Sequence, residues 1–366
     1  MDKKLFFCCA FLSMIFVFCI NISALSVSAE HAVLIEAQSA DIIYSKSENS
    51  CAPMASTTKI MTAIITIENA QLDEIVTIPP EAIGVEGSSI YLKYDEKLTV
   101  RDLLYSVLLQ SANDASVALA IHTAGSIEAF ANLMNEKAHE LGLINTHFTN
   151  PHGLDDNEHY TTAYELAIIA RYAMQNPIFK EIVSTQKAII PSNDGSRVLV
   201  NHNKLLRMYD GIIGVKTGFT RKSGRCLVSC AEREGVMLIA VSLNAPNDWH
   251  DHRKMLDYGF NEYESIILAK PGDYKIALDC INGQKSDVLC SNLYSLSIAL
   301  KKGEASKLCA VLEAKRFLFA PIDKNVPIGQ IVYYIDNKRV ASLDLFTIES
   351  VTNIKYKKSI FERIFG

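Results

Sequence analysis

The chain has 366 residues, 49% of them apolar, and carries a net charge of −5 at pH 7. That length allows about two domains with ample cores, and the mild acidity offers no concentrated basic surface, which excludes a nucleic-acid partner. No long charge run or low-complexity tract interrupts it.

In chain order, Lys3 and Lys4 precede an apolar stretch over 5–20, and Val27-Ser28-Ala29 offers small residues at cleavage positions. Residues 1–29 read as a secretory signal peptide cut after Ala29. The competing reading is an uncleaved anchor helix, but the stretch is short for a span of ~20 residues. Val17-Phe18 before Cys19 is too bulky for a lipoprotein site. Of nine cysteines, Cys8, Cys9 and Cys19 lie in the leader. Cys51, Cys226, Cys230, Cys280, Cys290 and Cys309 remain, an even set that permits disulfides in an exported protein. Cys226 and Cys230 share one predicted strand and read as buried free thiols. A Cys280–Cys290 bridge stays open, and no cysteine spacing resembles a zinc site.

Residues 30–265 mix helices and strands. A hairpin is predicted over 32–35 and 42–45. Helical periodicity follows over 56–69, 100–122, 127–141 and 162–175. Strands at 224–231 and 236–243 flank a Glu-Arg-Glu-Gly turn. Strands at both ends with helices between imply an α+β domain, an antiparallel sheet with helices packed on it. Residues 266–350 lack long helical patterns and carry strand-like runs at 330–335 and 340–345, which read as a small all-β domain. In the tail, 351–366, Ile360, Phe361, Ile364 and Phe365 share one helical face beside Lys355, Lys357, Lys358 and Arg363. Such a segment either lies in a membrane interface or packs back on the protein.

Three short motifs carry chemistry. Ser56 and Lys59 stand three apart at a helix start, on one face. First-turn N–H groups and the helix dipole favour a developing oxyanion there, and a partly buried lysine amine can take the serine's proton. Ser111-Ala112-Asn113 places a hydroxyl and a carboxamide on a short loop between helical stretches. Lys216-Thr217-Gly218 leads into the closing hairpin, where a strand edge can pair with an extended peptide, the lysine and threonine can bind a carboxylate, and the glycine leaves room for the ligand backbone. Each motif alone is weak. In the order S-x-x-K, S-x-N, K-T-G they form the set of class A β-lactamases and penicillin-binding proteins.

With GSSIYL from Gly87, NTHFTNPHGLDD from Asn145 and GVKTGFT, this set resembles the D-alanyl-D-alanine carboxypeptidases, the low-molecular-mass penicillin-binding proteins, over residues 31–262. The DWHDH and HYTTAYELA stretches are similar to the sporulation-type members of spore-forming bacteria. The resemblance implies a penicillin-binding/β-lactamase-like transpeptidase fold, a second β domain and a membrane anchor. It implies that Ser56 attacks the penultimate D-Ala carbonyl, Lys59 is the base, and Ser111 passes the proton to the leaving amine. Asn113 holds the substrate amide, Lys216 and Thr217 bind the terminal carboxylate, Gly218 makes room, and the N–H groups of Ser56 and Phe219 form the oxyanion hole. No cofactor or metal is implied. The implied partners are peptidoglycan stem peptides ending in D-Ala-D-Ala and β-lactams as covalent inhibitors. Phe219 stands where some members carry histidine, and Asp248 stands near a place where some carry arginine, so the grip on the carboxylate stays open.

His250-Asp251-His252 reads as loop residues making hydrogen bonds rather than as a metal pair. The turn Asn150-Pro151-His152-Gly153 is given no catalytic role. Glu165 is read as a helix residue, not as a deacylating base. The competing functions are a DD-endopeptidase, a β-lactamase, and a stem-peptide-binding protein without turnover.

Overall fold

A computed structural model describes residues 25–354. The leader up to Ala24 and the amphipathic tail from Lys355 lie outside them.

The first strand, β1 (His31–Glu36), pairs antiparallel with β2 (Ile42–Lys46). A 3-10 turn, Ala55–Thr58, then feeds α1 (Lys59–Asn69). Residues 59–66 are buried on every face, the mark of a helix at the centre of a domain. Thr62 and Thr66 satisfy their hydroxyls on the Pro151 and Thr62 carbonyls, so burying them leaves no orphaned donor. A two-stranded ribbon, β3 (Ile75–Thr77) with β4 (Lys97–Thr99), leads into α2 (Val100–Leu109). A reciprocal Thr99–Asp102 capping box starts that helix. The periodicity over 100–122 is two helices, because Gln110–Ala112 breaks it before α3 (Asn113–Ala124). Gly125, at φ +84°, ends α3, and Ser126 caps α4 (Ile127–Glu140). Thr162 caps α5 (Ala163–Met174), and Asn176 with Pro177 starts α6 (Pro177–Ser184). The hairpin β5 (Lys187–Ser192) and β6 (Gly195–Val200) follows.

Three long strands then close the domain: β7 (Ile212–Thr220), β8 (Gly224–Arg233) and β9 (Val236–Leu243). The sheet runs β2-β1-β9-β8-β7, antiparallel throughout. Both faces are covered. The α1–α6 cluster lies on one, and α7 (Asp248–Glu262) lies on the other. This double burial explains the nearly continuous apolar runs of β8 and β9.

From Tyr263 to the last described residue the chain forms strands, with one 3-10 turn at Glu304–Lys307. The first strand, β10 (Tyr263–Ala269), is followed by β11 (Lys275–Ile281), β12 (Asp287–Ser291), β13 (Leu296–Lys301), β14 (Cys309–Ala314), β15 (Phe317–Phe319), β16 (Pro327–Ile335) and β17 (Lys338–Thr347). Six of these form a sheet ordered β14-β16-β17-β12-β11-β15, and β10 pairs with β13. Val288, Cys290, Leu318, Ile331 and Leu345 fill its core. Bridges from Val351 to Ile322 and from Asn353 to Gly283 carry pairing to the last described residues. The architecture is α+β with an all-β C-terminal domain.

Two expectations need correction. Lys216-Thr217-Gly218 does not lead into the 224–231 strand. It lies inside β7, the edge strand, which the glycine content of 211–218 had masked. His250-Asp251-His252 is not a loop but lies at the start of α7, in and just after its first turn, and the helix's buried inner face makes up for its high polarity. His252 bonds Ser229 Oγ and Ser242 Oγ, and burial pushes its pKa down to about 3, so it is neutral. The described cysteines are all free, Cys280 and Cys290 included. Among the described residues no single helix is long and apolar enough to cross a membrane.

Candidate active site

The three motifs meet in one cleft of about 510 Å³, lined by Ser56, Ser111, Thr217, Gly218 and Phe219 among others. Lys59, Asn113 and Lys216, from the same motifs, are buried, Lys59 fully.

Each element places its residue for a local reason. Ser56 is the second residue of the 3-10 turn that opens into α1, so Lys59 lies one turn below it. Its Nζ is 3.0 Å from Ser56 Oγ. Ala55, just before, takes φ +48°, and Ser111, at the break between α2 and α3, takes φ +60°. Such left-handed conformations cost non-glycine residues energy and cluster at functional sites. Gly218 brings β7 against the turn, since a Cβ there would lie 3.1 Å from Ser56 N and 3.2 Å from Ala55 Cβ.

The protonation state of Lys59 follows from its partners. Nζ lies 2.6 Å from Asn113 Oδ1, 2.6 Å from the His152 carbonyl and 3.0 Å from Ser56 Oγ. The first two can only accept. A neutral amine therefore spends both its protons on them and turns its lone pair to the Ser56 hydroxyl. Burial, and then the charge of Lys216, hold the Lys59 pKa well below that of an ordinary lysine, with Asp114 opposing. Burial also lowers Lys216 to about 7. Its Nζ donates to the Thr217 carbonyl at 2.9 Å.

Asn113 is engaged at both ends, since Nδ2 donates to Glu86 O at 2.5 Å, which leaves its second amide proton for a ligand. Its neighbour Asp114 accepts from Ser89 Oγ and the Ile90 and Leu92 N–H groups, tying the 86–92 loop to the start of α3. Phe219 is exposed, and no side-chain hydrogen bond depends on its identity.

Sequence reasoning missed two things. The Asn150–Gly153 turn supplies the His152 carbonyl to Lys59. Asn150 Oδ1 accepts the Gly153 N–H at 2.7 Å, and Gly153 takes φ +85° with its Cα against Ala55. A Cβ there would fall 1.9 Å from Ala55 O. Gly153→Ala is therefore expected to destabilise the enzyme by about 2–4 kcal/mol and to slow Ser56 acylation, checked by urea unfolding and penicillin labelling. Below the turn, His159 Nδ1 accepts the Thr149 N–H, so Nε2 donates to Thr58 Oγ1, which donates to Ala55 O.

The second omission is a cationic rim of Lys204, Arg207 and Arg225, beside His202, which burial and Lys216 keep neutral. Arg225 faces Phe219 in the β7–β8 register, pairs with Asp248 at 2.9 Å and lies over Trp249. Asp248, which stands near a place where some members carry arginine, thus holds a cation at the cleft rim.

The sequence model of the D-alanyl-D-alanine carboxypeptidase family, Peptidase S11, matches residues 20–247. The chain belongs to this family. The model of the penicillin-binding protein 5 C-terminal domain matches residues 263–353. The D-alanyl-D-alanine carboxypeptidase DacF of Bacillus subtilis is 33% identical over 329 residues, 87% of this chain and 85% of its own. The D-alanyl-D-alanine carboxypeptidase of Streptomyces sp. K15 is 36% identical over 239 residues, 60% of this chain and 82% of its own. Among solved structures, penicillin-binding protein 5 of Haemophilus influenzae superposes with a TM-score of 0.70 at 30% identity, covering 90% of this chain and 98% of that one. As a member of the family the chain is a serine-type D-alanyl-D-alanine carboxypeptidase with a penicillin-binding-protein fold, a family that acts on the cell wall outside the cytoplasm.

Proposed function

We propose that this carboxypeptidase trims the terminal D-Ala from peptidoglycan stem peptides through an acyl-enzyme on Ser56, with Lys59 as the base. The observation that carries the reading is the Lys59 amine, whose carbonyl partners leave one lone pair facing Ser56 Oγ. The Ser56 oxygen attacks the penultimate D-Ala carbonyl as its proton moves to Lys59. The N–H groups of Ser56 and Phe219 receive the oxyanion. Ser111 relays the proton to the leaving amine, free D-Ala departs, and water, deprotonated by Lys59, cleaves the ester. The free Asn113 amide proton holds the substrate amide. The strand edge at Lys216–Phe219 takes the peptide backbone, and Lys216 and Thr217 take the terminal carboxylate.

The cationic rim suits an anionic peptide and speeds its encounter. Arg225 adds a second positive charge for the carboxylate. Arg225→Gln is expected to raise KM about tenfold, the worth of one charge-assisted bond, with kcat within about threefold, read from initial rates on a Lys-D-Ala-D-Ala peptide.

A penicillin acylates Ser56 in place of the peptide, and its ester clears slowly. A β-lactamase reading lacks a base, since Glu165 is committed to Asn145 N and Thr146 Oγ1 on α5. The same catalytic residues suit DD-endopeptidase action. Export by the N-terminal leader, a membrane contact by the tail and a sporulation role complete the proposal. The deciding experiment measures free D-alanine from a diacetylated Lys-D-Ala-D-Ala peptide beside a cross-linked muropeptide dimer. D-alanine release from the first supports the reading. Dimer cleavage alone replaces it with the endopeptidase, and penicillin labelling with neither product leaves a binding protein.

A further inference from the structure

The segment just before β1 is built into the catalytic domain. Val27 and Ala29 are buried among Leu34, Leu238, Ala240 and Leu256. Ser28 and Ala29 hold the buried carboxylate of Asp251, on α7. Ser28 N lies 2.9 Å from both of its oxygens, Ser28 Oγ donates at 2.6 Å and Ala29 N at 3.0 Å. Among the described residues these are all the hydrogen bonds to that carboxylate. Ser28 Oγ also accepts the N–H of Asn247, the N-cap of α7, which has no side-chain cap of its own. Lys46 Nζ closes the clamp by donating to the Val27 and Ala29 carbonyls at 3.2 and 2.6 Å.

A cut after Ala29 removes every one of these contacts: Asp251 loses its protein donors, and the packing of Val27 and Ala29 on Leu34, Leu238, Ala240 and Leu256 is lost with them. Glu30 N, the new amino group after such a cut, donates to the Asn244 carbonyl at 3.1 Å. The clamp also bears on the cleft, because Asp248 and Trp249, one turn from Asp251, carry Arg225.

We propose that Val27, Ser28 and Ala29 belong to the mature enzyme, and that the leader is cut upstream of Val27, at the Ala24–Leu25 or the Ser26–Val27 bond. Ala24-Leu25-Ser26 offers small residues at the third and first positions before the second of these bonds. The retained segment fastens the start of α7 at the cleft. This inference rests on the export reading.

The test expresses the full 366-residue chain in a Gram-positive secretion host and determines the N-terminus of the exported, penicillin-labelled protein by sequencing and intact mass. A mature N-terminus at Leu25 or Val27 is expected. One at Glu30 overturns the inference while export stands. An unprocessed Met1 form on the exported protein restores the uncleaved anchor helix and overturns the cleavage position, whereas protein retained inside the cell overturns the export reading. A second measurement compares chains starting at Leu25 and at Glu30. The shorter is expected to melt about 5–10 °C lower and to show a raised KM on the carboxylate-terminated peptide. Equal melting points and equal KM overturn the clamp.

Discussion

Ser56→Ala is expected to abolish penicillin labelling and to cut D-alanine release by about 10⁴-fold or more, the scale on which removal of an activated nucleophile acts. The fold should survive, because Ser56 is only half-buried and makes one side-chain hydrogen bond, to Lys59. Lys59→Met tests the base separately. Methionine keeps the buried chain length but cannot take a proton, and about 10²–10⁴-fold in acylation rate is expected to go. The Asn113 Oδ1 and His152 carbonyl acceptors then lose a donor, so a stability loss of about 1–3 kcal/mol accompanies it. The double variant should be no slower than Ser56→Ala alone, since both residues serve one step. Retention of penicillin labelling in Ser56→Ala would remove that serine from the mechanism. Normal acylation in Lys59→Met would move the base elsewhere, with His202, which lines the cleft, and Lys216 as candidates.

What sequence alone could supply here divides by the range of the forces involved. Ser56 and Lys59 are one helical turn apart, so their meeting is fixed by local geometry, and the period of residues 56–69 announces the helix that carries them. The helix break at Gln110–Ala112 and the buried strands β8 and β9 are likewise local, written in loop residues and in apolar runs. The His152 carbonyl is different. A backbone acceptor has no residue type to betray it, and it reaches Lys59 only because Gly153 lets the turn press on Ala55. The Arg225–Asp248 pair is also non-local. It needs β8 registered against β7 and the start of α7 folded over their ends. The helix over 248–262 was hidden because its polar residues are spent inward. Asp251 and His252 are buried and satisfied by Ser28, Ala29, Ser229 and Ser242, partners that lie far along the chain or across the sheet. Polarity on that face signalled a loop only because the groups that neutralise it were out of sequence view.

Lys216→Met is expected to make the enzyme more stable and much slower, and to move the acid limb of acylation to higher pH. Lys216 is almost fully buried with one carbonyl partner, and burial holds its pKa at about 7 against 10.5 in the unfolded chain. Between those values the unfolded state binds the extra proton, so folding stability rises with pH across that window and its penalty is complete below about pH 7. Shifts of this size are worth on the order of a few kcal/mol, and an apolar side chain of similar length removes the penalty altogether. Urea unfolding should therefore show a stability slope between pH 7 and 10 in the wild type that flattens in Lys216→Met. The catalytic consequence has the opposite sign. A carboxylate arriving beside Lys216 favours its charged form, so substrate binding near neutral pH takes up a proton, and the variant loses that attraction. Acylation by penicillin should fall about 10²-fold or more, the scale of a buried charge left unpaired. Lys216 also repels the Lys59 proton. Without it, Lys59 keeps its proton to higher pH, and the rise of the acylation rate with pH must begin later than in the wild type. Stopped-flow acylation across pH, run on both proteins, reads the two effects together. An acid limb unmoved in Lys216→Met would mean that the two lysines are not electrostatically coupled, and that burial alone sets the base.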